Sequence, residues 1–240
     1  MTTNVYDYNQ KIIATDSRWS TDKYLPWIFY TDNAQYDKII VTDEVVFMFA
    51  GSFQVIHQWK LWAIYDKKIN TRPLPHGIAL CMISRKNHLV ELCFVDHVEF
   101  NSKQEPQAFF AGSGYDKALS CWKVNQSVKQ AIETAKSLDV YTGGEVRYFD
   151  LNSNLHNLNL EHRAESISET FKKGYMVNTQ NSNTHLAIQD NLEHPVVKDF
   201  LADLVQGNAA LQAPSPIANR LWTQEQIDAL DVALSKYYPE

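Results

Sequence analysis

The first 150 positions contain short segments rich in apolar and aromatic residues, separated by polar turns, which is typical of β-strands. These segments predict three hairpins, over residues 2–8 with 11–18, 38–42 with 45–50, and 77–85 with 88–97. Single strands are predicted at 27–30, 107–111 and 145–151. From Phe53 the apolar residues recur at helical spacing, and two further helices are predicted over 115–122 and 125–138. The first part of the chain is therefore rich in antiparallel strands.

The last 90 residues have a different pattern. Helices are predicted over residues 164–176, 193–211 and 224–238, with a polar loop over 180–183. Pro214 and Pro216 end the second helix, and Thr223 with Gln226 forms a capping box that begins the third. We expect an α+β protein with two antiparallel sheets covered by helices. Its domains are a core over residues 1–151 and a helical C-terminal region over 152–240, packed on the same domain.

Composition narrows the functional classes. The chain has 240 residues, of which 45% are hydrophobic and 21% charged, so a disordered chain is excluded. A net charge of −6 disfavours nucleic acid and anionic membranes as partners. We expect no membrane segment and no signal peptide, because no apolar run is long enough.

Three cysteines are an odd, sparse set, which predicts a reducing, cytoplasmic location. The third hairpin is expected to place Cys81 opposite Leu92 and Cys93 opposite Leu80. The two thiols would then face opposite sides of the sheet, so no disulfide is expected. Histidines are scattered without zinc-binding spacing, and we predict neither a metal nor a cofactor.

The start of the chain carries candidate chemistry. Removal of Met1 would leave Thr2 with a free α-amine beside its own hydroxyl, and such an amine has a pKa near ~7.7–8.0. Asp16 lies where the second strand returns beside the N-terminus, and Lys38 begins the strand after Tyr36 and Asp37. A lysine there would favour the ionised hydroxyl. Taken singly, the same residues also fit a hairpin end and a surface lysine.

Three glycine-containing turns follow. Gly51 lies between a buried strand and a helix, where backbone N–H groups can stabilise an oxyanion. Ser113 lies in Gly-Ser-Gly, which lacks the spacing of a phosphate-binding loop. Asp139 and Thr142 precede Gly143 and Gly144, where a helix is expected to end.

The order and spacing of these features over residues 2–151 resembles proteasome β-type subunits and bacterial proteasome-like peptidases, which are N-terminal-nucleophile hydrolases. The resemblance implies a four-layer αββα sandwich with a helical C-terminal extension. It also implies that Thr2 is the nucleophile, that Asp16 orients a catalytic Lys38, and that Gly51 donates to the oxyanion. Arg18 matches the arginine just beyond the aspartate.

By the same resemblance, Ser113, Asp139 and Thr142 support the threonine amine, and Thr2 lies exposed in a cleft. The implied side-chain pocket is formed by large apolar residues, which are Trp19, Ile40, Phe49 and Phe53. Such a pocket is expected to accept small apolar side chains and to reject charged ones.

The leading hypothesis is a threonine peptidase or amidohydrolase that acts on a peptide or protein substrate. The alternative is an inert protein of the same fold that serves as an interaction or assembly module. Relatives of this kind form rings, so a homo-oligomeric ring is expected, and a separate ATPase unfoldase is a candidate partner. Trp59 and Trp62 on the helix after Gly51 belong either to a subunit interface or to the core.

Overall fold

The computed structural model describes residues 2–66, 71–159, 165–181 and 184–238. These residues form two antiparallel β-sheets with helices packed against them, so the predicted α+β class is confirmed. No helix within the described ranges is long and apolar enough to span a lipid bilayer.

The first sheet has five strands and contains the N-terminal hairpin. Its strands are β1 (Asn4–Asp7), β2 (Ile12–Asp16), β9 (His97–Phe100), β10 (Pro106–Ala111) and β11 (Val146–Asp150). They lie in the order β11-β2-β1-β10-β9. Asn4 lies opposite Thr15 in the β1–β2 pair, which confirms the predicted hairpin. Helices α2 (Tyr115–Asn125) and α3 (Val128–Leu138) pack on this sheet through a buried cluster that includes Val5, Phe110 and Trp122.

The second sheet has nine strands. Residues of the first 100 positions form β3 (Trp19–Tyr24), β4 (Trp27–Thr31), β5 (Ile39–Val41), β6 (Val45–Ser52), β7 (Ile78–Ser84) and β8 (Val90–Phe94). Three more strands come from later in the chain, which are β12 (Tyr175–Asn178), β13 (His185–Ala187) and β14 (Gln212–Ala213). The order is β13-β12-β4-β3-β14-β6-β7-β8, and β5 pairs with β6. The region after residue 151 is therefore not only helical, since it contributes strands to this sheet.

Helices pack against the second sheet around the largest hydrophobic cluster. They are α1 (Phe53–Leu61), followed by a π-helical turn (Trp62–Asp66), α4 (Glu165–Lys172), α5 (Pro195–Gln206) and α6 (Gln224–Ser235). Thr223 and Gln226 form the predicted capping box. Trp59 and Trp62 are buried in this cluster, so both belong to the core. A separate cluster that includes Tyr6, Ile13, Met48 and Cys81 joins residues of the two sheets.

Several predicted boundaries were wrong. Strand β3 was not predicted, and the predicted strand over 88–97 is divided between β8 in one sheet and β9 in the other. Cys81 lies opposite Cys93 rather than Leu92, because the register shifts between Met82 and Ile83; both thiols are free. The helix predicted to reach Met176 ends at Lys172, and residues 182 and 183 of the predicted loop lie outside the described ranges.

Candidate active site

The carboxylate of Asp16 is the centre of a buried polar cluster at the end of the N-terminal hairpin. Pairing of β1 with β2 brings this side chain beside Thr2, whose hydroxyl donates to Asp16 Oδ1. The backbone N–H of Thr3 donates to the same oxygen at 2.8 Å. Asp16 Oδ2 accepts from the N–H groups of Arg18 at 3.2 Å and Gly143 at 3.1 Å. These donors fix the carboxylate in one orientation.

Lys38 provides the positive charge that balances Asp16. Its Nζ lies 2.7 Å from the backbone oxygen and 3.1 Å from Oδ1 of Asp16, and both side chains are buried. Burial lowers the pKa of Lys38, and the adjacent Asp16 carboxylate opposes that shift. The hydroxyl of Thr2 and the ammonium group of Lys38 therefore meet at the same carboxylate oxygen.

Arg18 has a structural partner of its own. Its Nε and Nη2 donate to the two carboxylate oxygens of Asp32 at 2.6 and 2.8 Å, and its guanidinium group lies 3.9 Å from the centre of the Tyr30 ring. This bidentate pair holds the segment between β2 and β3, where the chain passes from the first sheet to the second.

A second polar cluster forms around Asp139 at the end of α3. Asp139 Oδ2 accepts from the hydroxyl groups of Ser113 at 3.2 Å and Thr142 at 2.6 Å. Thr142 Oγ1 in turn lies 2.9 Å from Oγ1 of Thr3. The three predicted residues are therefore brought together, and they connect to the first cluster through the residue that follows Thr2.

Gly51 is at the end of β6 with φ +120°, a conformation that favours glycine. A Cβ atom at this position would lie 2.2 Å from the carbonyl oxygen of Gly77, so a larger residue does not fit. Gly51 and Ser113 line the same open cleft, which has a volume of about 520 Å³. Tyr141 and Pro214 also line it.

The expectation that Thr2 is exposed was wrong. Its side chain is fully buried, and its backbone N–H donates to the carbonyl oxygen of Pro214 at 3.3 Å. Pro214 therefore contacts the proposed nucleophile, and sequence reasoning missed this contact. The only signal was the Pro-Ser-Pro run, which was interpreted as the end of a helix. Met1 lies outside the described residues.

The four residues expected to form a side-chain pocket lie in the hydrophobic core instead of on the wall of the cleft. Trp19, Ile40 and Phe49 are fully buried, and Phe53 packs against them. The rings of Trp19 and Phe53 meet edge to face, with centroids 5.3 Å apart. In this conformation they fill the interface between the second sheet and α1.

No group of three or more histidine, cysteine, aspartate or glutamate side chains suited to a metal ion occurs among the described residues.

Comparison with known proteins gives similarities of structure only. No protein-family model matches the chain. No curated protein matches it either. Among solved structures, it is similar to Thiobacillus denitrificans BPH in complex with epoxomicin, with 12% identity, a TM-score of 0.41, and coverage of 62% of this chain and 97% of the other. It is also similar to eukaryotic HslV from Trypanosoma brucei, with 13% identity, a TM-score of 0.38, and coverage of 62% and 99%.

Both similar structures are proteasome-type N-terminal-nucleophile hydrolases, the class that the sequence motifs resemble.

Proposed function

We propose that this protein is an N-terminal threonine hydrolase that cleaves peptide or amide bonds, with Thr2 as nucleophile after removal of Met1. The observation that carries the proposal is the convergence of the Thr2 hydroxyl and the Lys38 ammonium group on one buried carboxylate oxygen of Asp16. A buried ion pair contributes little net stability, so an arrangement of this kind is better explained by chemistry at the hydroxyl.

The reaction has two steps. In the first step, Thr2 Oγ1 attacks the substrate carbonyl carbon, and the free α-amine of Thr2 takes the hydroxyl proton and passes it to the departing amine. The charge of Lys38 stabilises the ionised hydroxyl, and the N–H of Gly51 stabilises the oxyanion. In the second step, water attacks the acyl carbon of the resulting ester, the bond from this carbon to Oγ1 breaks, the carboxylic acid product leaves, and the threonine hydroxyl recovers its proton.

The remaining site residues position the amine. Ser113, Asp139 and Thr142 form a hydrogen-bonded group that contacts the hydroxyl of Thr3, the neighbour of Thr2, and in the proposed enzyme they orient the α-amine of Thr2. The proposed scaffold is the four-layer αββα sandwich, with residues 2–151 as catalytic core and residues 152–240 as an extension packed on it. A homo-oligomeric ring and a separate ATPase unfoldase belong to the same proposal.

We also propose that the enzyme prefers small apolar side chains at the position beside Gly51. The resemblance assigns Trp19, Ile40, Phe49 and Phe53 to this pocket, and because they are packed into the core in this conformation, room for a side chain would come only from their rearrangement. In the β14–β6 pair the residue opposite Gly51 is Ala213, whose small apolar side chain is of the kind that we propose a substrate has at this position.

The alternative function is an inert assembly module of the same fold. It is favoured by the full burial of Thr2 beneath Pro214, which prevents a substrate from reaching the hydroxyl in this conformation.

Intact mass and turnover decide between the two functions. A hydrolase requires that the purified protein begins at Thr2, that it cleaves short fluorogenic peptides after alanine or valine, and that Thr2→Ala removes this activity. Thr2→Ser is the matched control, because it keeps a hydroxyl and should retain part of the turnover. Full retention of Met1, or turnover unchanged by Thr2→Ala, would contradict the proposal and favour the inert module.

A further inference from the structure

Strand β14 lies between two strands of the second sheet that come from the catalytic core. Gln212 pairs antiparallel with Ser20 of β3 on one side and with Ser52 of β6 on the other. Ala213 lies opposite Gly51, and the carbonyl oxygen of Leu211 accepts from the N–H of Phe53 at 3.0 Å. Residues 211–213 therefore complete the sheet as an extended strand beside the oxyanion position.

The chain then crosses the nucleophile. The carbonyl oxygen of Pro214 accepts from the N–H groups of Thr2 at 3.3 Å and Ser113 at 3.1 Å. Since Ala213 pairs with Gly51 and Pro214 binds Thr2, the peptide bond between Ala213 and Pro214 lies between the proposed oxyanion donor and the proposed nucleophile. The segment has the position that an extended substrate would need.

Asp96 anchors the segment beyond this point. Its Oδ2 accepts from the Ser215 hydroxyl at 2.6 Å, and its Oδ1 accepts from the N–H of Ile217 at 2.7 Å. The same Oδ2 accepts from the N–H of Gly112 at 2.7 Å. One carboxylate thus ties the segment to the loop that carries Ser113.

We propose that residues 211–217, which we name the strap, are an autoinhibitory segment that occupies the substrate strand position and must leave it before an extended peptide can reach Thr2. Strands β3 and β6 each need a partner for their backbone groups, and the strap now satisfies both. An incoming peptide strand would use the same groups and cannot bind beside it.

The structure of the strap is suited to opening. Its strand is two residues long, and its two prolines lack N–H groups that could extend the pairing. Because its strand pairing is limited to Gln212 and Ala213, the strap can open at lower free energy than the longer strands β3 and β6 beside it.

The test uses the whole protein and a fluorescent peptide that copies residues 208–217. Ala213→Asp introduces a carboxylate at a fully buried position of the strap. The strap should then leave the groove between β3 and β6, and the peptide should bind there in its place. Ala202→Asp is the matched control, since it makes the same change at an exposed position of α5. If the groove is open in about 1% of wild-type molecules, the peptide binds the wild-type protein about 100-fold more weakly than an open groove.

The expected result is binding to Ala213→Asp and about 100-fold weaker binding to the wild type and to Ala202→Asp. Equal binding to wild type and Ala213→Asp would overturn the proposal, because the groove would already be free in solution. Absence of binding to a folded Ala213→Asp would overturn it as well, because departure of the strap would not open a strand site.

Hydrogen exchange of the wild-type protein provides a second test that needs no variant. The N–H groups of Phe53 and Ser113, which donate to the strap, should exchange faster than the N–H of Phe49, which donates to Lys38 within the core sheet. Equal, slow exchange of all three would show that the strap is a fixed part of the sheet and would contradict the proposal.

The inference rests on the proposed function only in treating Thr2 as the nucleophile. Peptide binding and hydrogen exchange are measured without turnover, so they report on the strap even if the protein is inert. If Ala213→Asp binds the peptide but neither it nor the wild type hydrolyses a substrate, the proposed function fails and the strap stands. Cleavage of the wild-type chain after Ala213 would show that the strap is a substrate and would overturn its inhibitory role.

Discussion

The Nζ atom of Lys38 lies 3.1 Å from Oδ1 of Asp16, and both side chains are buried. The same oxygen accepts from the Thr2 hydroxyl, so the pair directly contacts the proposed nucleophile. Because each charge depends on the other, changes at either residue should affect both the stability and the activity of the protein.

Removal of one partner should cost more stability than removal of both. Lys38→Met leaves the Asp16 carboxylate buried without its counter-ion, and the loss of one partner of a buried ion pair typically costs about 3–5 kcal/mol. In the Lys38→Met, Asp16→Asn double variant no charge remains, so we expect part of that loss to be recovered in urea unfolding. Additive losses would mean that the pair is not coupled.

The double variant should recover part of the lost stability but none of the lost turnover. Lys38→Met and Asp16→Asn should each reduce hydrolysis severely, and the double variant should be little worse than either, because the residues act on the same hydroxyl. The measurement is kcat/KM for a short fluorogenic peptide. Independent losses that multiply would show that the two side chains do not share a role.

Gly51→Ala should destabilise the fold as well as the site. The added Cβ would lie 2.2 Å from the Gly77 carbonyl oxygen, and the backbone has φ +120°. Gly207→Ala is the matched control, because Gly207 has φ +76° but no neighbouring atom within 4 Å of the added carbon. Left-handed backbone alone costs roughly 1–2 kcal/mol. Thermal unfolding should show a clearly larger loss for Gly51→Ala, and equal losses would contradict the steric explanation.

Lys60 should make the stability of the protein depend on pH. Its side chain is buried, and its Nζ lies 3.7 Å from the centre of the Tyr36 ring. Burial lowers its pKa from 10.5 to about 7, opposed by the charge of Asp37. Between pH 7 and 10.5 the unfolded chain keeps a proton that the folded protein has lost, so the free energy of unfolding rises with pH across this range.

The comparison with Lys60→Met isolates this effect. The variant has no titrating group at this position, so its free energy of unfolding should lack the rise that Lys60 contributes. The free energy of unfolding of the variant should therefore exceed that of the wild type most below pH 7, and this excess should shrink towards pH 10. A difference that does not vary with pH would show that Lys60 has an ordinary pKa.

Enlargement of the proposed side-chain pocket is best tested at Phe53. Phe49 is fully buried, and replacement of a buried phenylalanine by alanine costs about 3–5 kcal/mol, so that variant risks unfolding. Phe53 is only partly buried at the start of α1. We expect Phe53→Ala to extend cleavage from alanine and valine to larger apolar side chains in a panel of fluorogenic peptides. Preferred cleavage after arginine or glutamate would contradict the pocket assignment.

The sequence predicted those parts of the site that depend on hairpins between neighbouring strands. The β1–β2 hairpin carries Asp16 back to Thr2, and the β5–β6 hairpin, whose two apolar runs are separated by a polar turn, begins next to Lys38. A carboxylate and a lysine at these positions could therefore be expected to meet.

The parts that were missed lack a period or depend on long-range contacts. Strand β14 has two residues, too few to show any alternation, and its partners lie more than 150 positions earlier in the chain. The register of Cys81 depends on an irregularity between Met82 and Ile83 that no hydrophobic pattern reveals. The hydrogen bond from the N–H of Thr2 to the carbonyl oxygen of Pro214, directly after β14, could not be predicted either.

Mass spectrometry of an epoxomicin adduct tests the central claim most directly. Epoxomicin is the compound in complex with Thiobacillus denitrificans BPH, and a covalent adduct with it would add one inhibitor mass to the residue that reacts. We expect Ala213→Asp protein to begin at Thr2, to gain one inhibitor mass mapped to Thr2, and to react faster than the wild type, with no adduct when Thr2→Ala is added. Retention of Met1, or an adduct on another residue, would contradict the assignment of Thr2 as the nucleophile.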